Sequence, residues 1–400
     1  MSTSENVILY EKKQIPAKVK MMGWLILALG IILTGLSFNS DNVRASYNLI
    51  ITLTWVYSIG LGALFLIALE YIVNADWSVP FRRVTEIVAS LIFVVPILAL
   101  PLLLNLDTVF TWLNPALMKA DTYLAGKAPY LNKDFFIYRS IAIFVIMFLF
   151  YFLLAGRSMM QDKSKNPKVN KLSVKLSAIF MPIFAISITV VAMDWLMSLE
   201  PKWFSTIFGV YYFAGSVVSA LAVITFISIV LKEQGFLGKY LKEDHFYNFG
   251  ALLFAFVNFW AYIAFSQFML IWYANLPDET MWYMIRGANG WFPVSIGLIF
   301  IKFAIPYMAL LTRPSKSNPF RLKLIAVWLF IAHYYDLYWM IMPDYGKRAG
   351  AMGPVYSWFE LAVPILVIGL IWVVFTTVAG NKNLMPIGDP KFKKGLEFHL

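Results

Sequence analysis

The sequence predicts an all-α fold, a polytopic integral membrane bundle of ten transmembrane helices, and three observations predict it. The 400 residues are 60% hydrophobic and 17% aromatic, above the roughly 45–50% apolar share of soluble domains. Apolar runs of 18–27 residues recur ten times, against the ~20 residues that cross ~30 Å of hydrocarbon. Lys and Arg are unevenly shared between the two sets of connections. The N-terminus, even-to-odd loops and C-terminus carry 23 and the alternate loops 9, and Lys302, inside a run, completes the 33. By the positive-inside rule both termini are cytoplasmic.

Residues 1–20 are polar and Lys-rich and read as a cytoplasmic segment. The first run has no small-residue cleavage site after it, so no signal peptide is expected to be removed. The runs follow at 21–38, 48–73, 84–105, 136–156, 173–199, 207–232, 249–275, 292–312, 322–343 and 356–380. The loop Arg157–Lys175 carries much of the positive bias and reads as topogenic, solvated and within reach of anionic lipid. The longest outward connection, Leu106–Phe135, holds Trp112, Pro115, Tyr123 and Tyr130 and is too apolar for a plain linker. It is expected to form an interfacial helix or to dock onto an external subunit. Asn275–Phe292 has the same aromatic character, which an aromatic belt or partner docking explains. Residues 381–400 read as a cytoplasmic tail, leaving 21–380 as one ten-helix domain without an internal repeat or low-complexity tract.

Chemistry concentrates in the ninth run. Arg321–Tyr345 is apolar enough to cross a bilayer yet carries His333 and Asp336, three apart and therefore on one helical face. A carboxylate facing lipid costs several kcal/mol, so this face is expected to look into protein or a hydrated cavity. Alternating run direction converts position into depth. Asp194, Asp336 and Glu360 fall toward the outer side, Glu70 and Glu86 near the inner side, and Lys302 and His333 between them. The pattern suggests two half-channels meeting at a central switch. Ser187 and Ser198 share the face of Asp194.

Each group also has a plainer reading: Asp336 as a structural ion pair with Lys302, His333 as a satisfied core donor, and Glu70 and Glu86 as span-end residues that reach interfacial water. Pro306 and Pro364 free the carbonyls of Lys302 and Glu360 from their helical hydrogen bonds, placing a polar demand beside two of the charges. Pro96, Pro101 and Pro182 are expected to kink their helices without an adjacent charge. Asn258 and Gln267, nine apart, lie on opposite faces, and Gln267 is expected to hydrogen-bond between helices.

There are no cysteines, which excludes disulfides, a thiolate nucleophile and cysteine-ligated iron–sulfur or c-type haem centres within the chain. Of three histidines only His333 lies in a run, so the bis-histidine ligation of a transmembrane haem is not available. No cofactor or metal is expected on this chain, and any electrons are carried by partners.

Three stretches carry a family resemblance: Met193–Gly215 (MDWLMSLEPKWFSTIFGVYYFAG), Phe265–Thr280 (FSQFMLIWYANLPDET) and the His333/Asp336 span. They closely resemble the ActF subunit of bacterial alternative complex III, the quinol:cytochrome c (or high-potential acceptor) oxidoreductase, itself similar to NrfD-like polysulfide reductase membrane subunits. The resemblance runs across essentially all ten runs. It implies a multi-pass subunit of the bacterial inner membrane that anchors the complex and conducts protons. The implied partners are the sister subunit ActC, outer-side subunits with haem c and iron–sulfur clusters, a terminal oxidase and membrane lipid, with no nucleic acid. Menaquinol or ubiquinol is the implied quinol, with ActC the better candidate for its site.

By position, Asp194, His333, Asp336 and Glu360 are the residues that a quinol head group or its released protons would meet, since quinol oxidation needs a base beside the hydroxyl. Two alternatives stay open: an NrfD-like subunit that itself binds and oxidises quinol, and a secondary transporter with a Lys302/Asp336/Glu360 site. The transporter lacks an inverted-repeat signal.

Overall fold

The structure is a computed structural model that describes residues 14–237, 241–288, 290–351, 353–380 and 382–399. The first thirteen residues of the expected N-terminal segment lie outside the described residues. Among the described residues there is no strand. Ten helices are long and apolar enough to cross a membrane: α1 (Ala17–Ser40), α2 (Asn42–Ile72), α3 (Val79–Leu104), α4 (Lys133–Ser164), α5 (Lys168–Leu199), α6 (Phe208–Glu233), α7 (Glu243–Ala274), α8 (Trp291–Leu310), α9 (Pro319–Arg348) and α10 (Phe359–Ala379). Most outlast the apolar runs that announce them, because a helix continues through polar residues until a cap stops it. Asp41 alone separates α1 from α2 and accepts the Arg44 N–H at 2.9 Å. Asn132 caps α4 through the Phe135 N–H. Asn318, with Pro319 at the first helical position, caps α9.

α2 and α6 form the centre of the bundle. Their most apolar windows are 89% and 83% buried, against 22% for α1 and 28% for α8. α6 packs on α2, α5, α7 and α9, while α1 lies chiefly against α10. The perimeter stays apolar, with Leu25, Val145, Leu270 and Met308 exposed.

Three helices are irregular. α3 is broken by a 3-10 turn at Ser90–Phe93, where Pro96 cannot donate to the carbonyl four residues before it. π-turns interrupt α4 at Phe152–Gly156 and α8 at Phe300–Ala304. Pro182, by contrast, is carried within Lys168–Trp195 without a break in the helix.

The connections are more tightly folded than the sequence suggests. In the 106–135 connection, two short helices (Pro115–Ala120 and Thr122–Lys127) follow a pair of 3-10 turns. Phe110 and Trp112 are buried against Phe136 of α4, and Phe110 and Phe136 meet Trp195 of α5. Much of this segment's apolar character is therefore spent on its own chain. Within Asn275–Phe292 a helix at Pro277–Gly287 brings Trp282 into a stack with Trp203, centroids 4.7 Å apart, and edge-on to Trp339. Gln267 donates from α7 to the Tyr283 hydroxyl of this helix at 3.3 Å, whereas Asn258 turns back to the Phe254 carbonyl of its own helix. The segment read as a cytoplasmic tail is packed on the bundle, with Leu384, Met385, Asp389 and Leu396 buried.

Candidate functional site: a buried Lys302–His333–Asp336 chain

Four helices bring five polar side chains together in the core. Asp336 and His333 come from α9, Lys302 from the π-turn of α8, Tyr211 from α6 and Ser58 from α2, all of them buried. The Lys302 ammonium forms an ion pair with Asp336 Oδ2 and donates to His333 Nδ1 at 3.0 Å. The Tyr211 hydroxyl donates to Asp336 Oδ1 at 2.5 Å. With Nδ1 accepting from Lys302, His333 carries its proton on Nε2 and donates to Ser58 Oγ at 2.9 Å. Ser58 passes its own proton to the Trp55 carbonyl at 2.7 Å.

The result is a continuous hydrogen-bond chain from Tyr211 through Asp336, Lys302 and His333 to Ser58, in which Asp336 accepts from both neighbours and Lys302 donates to both. The Trp260 ring, 4.8 Å from Nζ, covers another side of the ammonium. Gly215 makes room for the group: a Cβ there would lie 3.0 Å from His333 Cε1 and 3.3 Å from Lys302 Nζ. A buried charge needs a partner and full hydrogen bonding, and here every ionisable group has both. Such a chain can hold a proton and relay it between carboxylate, amine and imidazole.

The remaining candidate residues do not join this centre. Asp194, Asp336 and Glu360 each have their own cation. Arg44 grips Glu360 bidentately, Nε to Oε1 at 2.9 Å and Nη2 to Oε2 at 2.8 Å, with Asn48 donating to Oε1 at 3.2 Å. Arg139 grips Asp194 at 2.8 and 3.0 Å, and Tyr130 donates to the same carboxylate at 3.0 Å. Burial, with the Asp194 charge beside it, pushes the Tyr130 phenol up to about 12, so it remains a donor. Ser198 spends its hydroxyl on the Asp194 backbone carbonyl.

Glu70 and Glu86 do not reach interfacial water either. Glu70 is held by Arg82 at 2.5 Å and Glu86 by Arg83, and all four are buried. Depth follows from position along a helix, but adjacency depends on how helices rotate against one another.

Sequence reading missed Arg44, Arg82, Arg83 and Arg139 as counter-ions, because they stand near helix ends and were counted only as topogenic charge. Spacing would have found one of the pairs, since Arg83 and Glu86 are three apart on a helix. The proline argument located a real demand at Glu360. Its carbonyl, freed by Pro364, accepts the Tyr334 hydroxyl at 2.8 Å. At the α8 π-turn it is the neighbouring Ile301 carbonyl that takes a side-chain donor, Trp328 Nε1 at 2.7 Å. Tyr334→Phe is therefore expected to lower stability by about 1–3 kcal/mol, measured as the shift in the unfolding midpoint of the purified protein. An unchanged midpoint would show that this carbonyl finds another donor.

Two cavities lie apart from the chain. One, about 650 Å³ and almost wholly apolar, opens between α1, α6, α9 and α10 with Phe330 in its wall; none of Lys302, His333 and Asp336 lines it. The other, about 470 Å³, is lined by charged residues including Glu200, Asp344 and Lys347. Among the described residues no cluster of His, Asp and Glu suits a metal ion.

These features define a ten-helix bundle of multi-pass type, built around an internal Lys–His–Asp cluster and edged by Arg–carboxylate pairs. Compared with known proteins, the chain matches no family model, and a search of the curated proteins returns no match.

Proposed function

We propose that this protein is a multi-pass subunit of a bacterial inner-membrane quinol:acceptor oxidoreductase of the alternative complex III kind, with both termini cytoplasmic, and that it anchors the complex and conducts protons. The observation that carries the reading is the buried Tyr211–Asp336–Lys302–His333–Ser58 chain. Ionisable groups inside a membrane bundle are expensive and are kept where protons or ions move. The apolar perimeter and the positive-inside count support the membrane placement and the topology. Quinol oxidation takes place in a partner, ActC by the resemblance, and electrons pass to haem c and iron–sulfur subunits on the outer side. The present chain supplies a path for protons.

A second reading is a proton-coupled secondary transporter. It is favoured by the π-turn of α8 that presents Lys302, since interrupted helices form binding sites in transporters. Mild-detergent purification of the tagged protein from native membranes separates the two. The complex subunit is expected to bring haem and iron–sulfur proteins in stoichiometric amounts. A protein that runs alone or as a homo-oligomer, without haem absorbance, would overturn the subunit reading.

A further inference from the structure

We propose that residues 384–398 form a strap that closes one end of the bundle over Glu70 and Glu86, with Asp389 as its latch, and that release of the strap opens this end to solution. Its functional meaning, gating of the proton path at its inner mouth, rests on the function proposed above; its geometry does not.

The latch consists of shared arginines. The Arg82 guanidinium donates through Nε to Glu70 at 2.5 Å and through Nη1 to Asp389 of the strap. Asn170, at the start of α5, donates to both Asp389 oxygens at 3.2 and 3.1 Å. Arg83 pairs with Glu86 and, through Nη2 at 2.9 Å, with Asp162 of α4. The Asp162 carboxylate also accepts the Gly388 N–H of the strap at 3.2 Å. Gly388 sits so close to the backbone of Gln161 and Asp162 that no side chain fits there. Glu70 is thus linked to the strap through Arg82 alone, and Glu86 through Arg83 and Asp162.

The rest of the strap is tied to other connections at the same end. Lys391 and Lys394 pair with Asp76 between α2 and α3, and Lys391 Nζ donates to the Asn74 carbonyl at 2.9 Å. His245 of α7 accepts the Lys242 N–H on Nδ1, which leaves Nε2 to donate to the Gly395 carbonyl at 2.8 Å. Buried Leu384, Met385 and Leu396 supply the apolar contact.

Asp389 is the link that can be cut without opening the core. Without it Arg82 keeps Glu70 as its partner, so no buried cation is orphaned, whereas the strap loses its central ion pair. The absence of cysteine makes the test clean. Ser158, buried on α4 with its carbonyl toward Arg83 at 3.4 Å and one helical turn before the Asp162 that accepts the Gly388 N–H, is replaced by Ser158→Cys as a reporter near the strap. Ser140→Cys, buried near the opposite end of α4, reports global opening.

The full-length protein in inside-out vesicles is treated with a small charged thiol reagent in three backgrounds: strap intact, Asp389→Ala, and truncation after Asn383. With the strap intact the Ser158 reporter is expected to be nearly inert, and in the other two to react at least ~10-fold faster, while the Ser140 reporter stays protected throughout. Equal Ser158 rates would overturn the strap as a closure. Reactivity of both reporters would overturn it as a gate, because the segment would then hold the whole fold. Faster labelling without any change in proton conduction would leave the closure standing and remove the proton-path reading on which its meaning rests.

Discussion

On the proposed function, Asp336→Asn in the purified, assembled complex is expected to lower quinol:acceptor turnover by about tenfold or more, with subunit assembly by gel and haem content unchanged. The amide cannot take a proton at the centre of the chain, and it leaves the Lys302 ammonium without its buried counter-ion. Removing one partner of a buried pair costs about 3–5 kcal/mol, so loss of turnover alone does not separate proton handling from packing.

The paired replacement Lys302→Met with Asp336→Leu separates them. Apolar residues of similar volume often substitute for a buried ion pair with little loss of stability. If the pair is only structural, the double variant should recover turnover that the single variant loses. If protons pass through it, both variants should be slow while both complexes stay assembled. Normal turnover in Asp336→Asn would assign the chain to scaffold, leaving proton-to-electron stoichiometry as the quantity to measure. A large fall with assembly intact would also raise the reading in which this subunit meets the quinol itself.

The second large effect is on stability. Arg82→Met is expected to destabilise the protein by about 3–5 kcal/mol, because one guanidinium neutralises both Glu70 and Asp389 away from solvent. Arg82→Lys should recover only part of this, since a single ammonium lacks the planar fork that serves two carboxylates in fixed directions. Lys202→Met, which breaks the exposed Lys202–Asp121 pair, should leave the unfolding midpoint nearly unchanged. Unfolding midpoints of the three variants in the same detergent provide the comparison. Equal losses for Arg82→Met and Lys202→Met would mean that the buried network contributes no more than a surface pair.

The fold was legible in the sequence to a greater degree than the site. Ten apolar runs became ten long helices because the length of an apolar stretch is a local property. The caps at Asp41, Asn132 and Asn318 are local too, and they explain why the helices outlast the runs. Irregularity was legible only in part. Pro96 coincides with the 3-10 break of α3 and Pro182 with no break at all, since neighbouring helices decide whether a lost hydrogen bond disrupts the backbone. The segment around Trp112 reads from sequence as an interfacial helix or a docking surface, and the segment around Trp282 as an aromatic belt or a docking surface. Trp112 and Trp282 turn inward, where their rings pack against Phe136, Trp203 and Trp339.

At the site, the sequence by itself determined which charges stand in apolar runs, their order along each helix, and the one-face placement of His333 and Asp336. Periodicity and run direction suffice for these. Only the tertiary structure decided that Lys302 meets both of them, that Tyr211 and Ser58 complete the chain, and that Asp194 and Glu360 belong to Arg139 and Arg44. It also decided that Asp389, near the end of the chain, shares Arg82 with Glu70, more than 300 positions earlier in the sequence. The physical reason is that a helix's own periodicity fixes the angle between its side chains, whereas the rotation of each helix about its axis is set by packing against its neighbours.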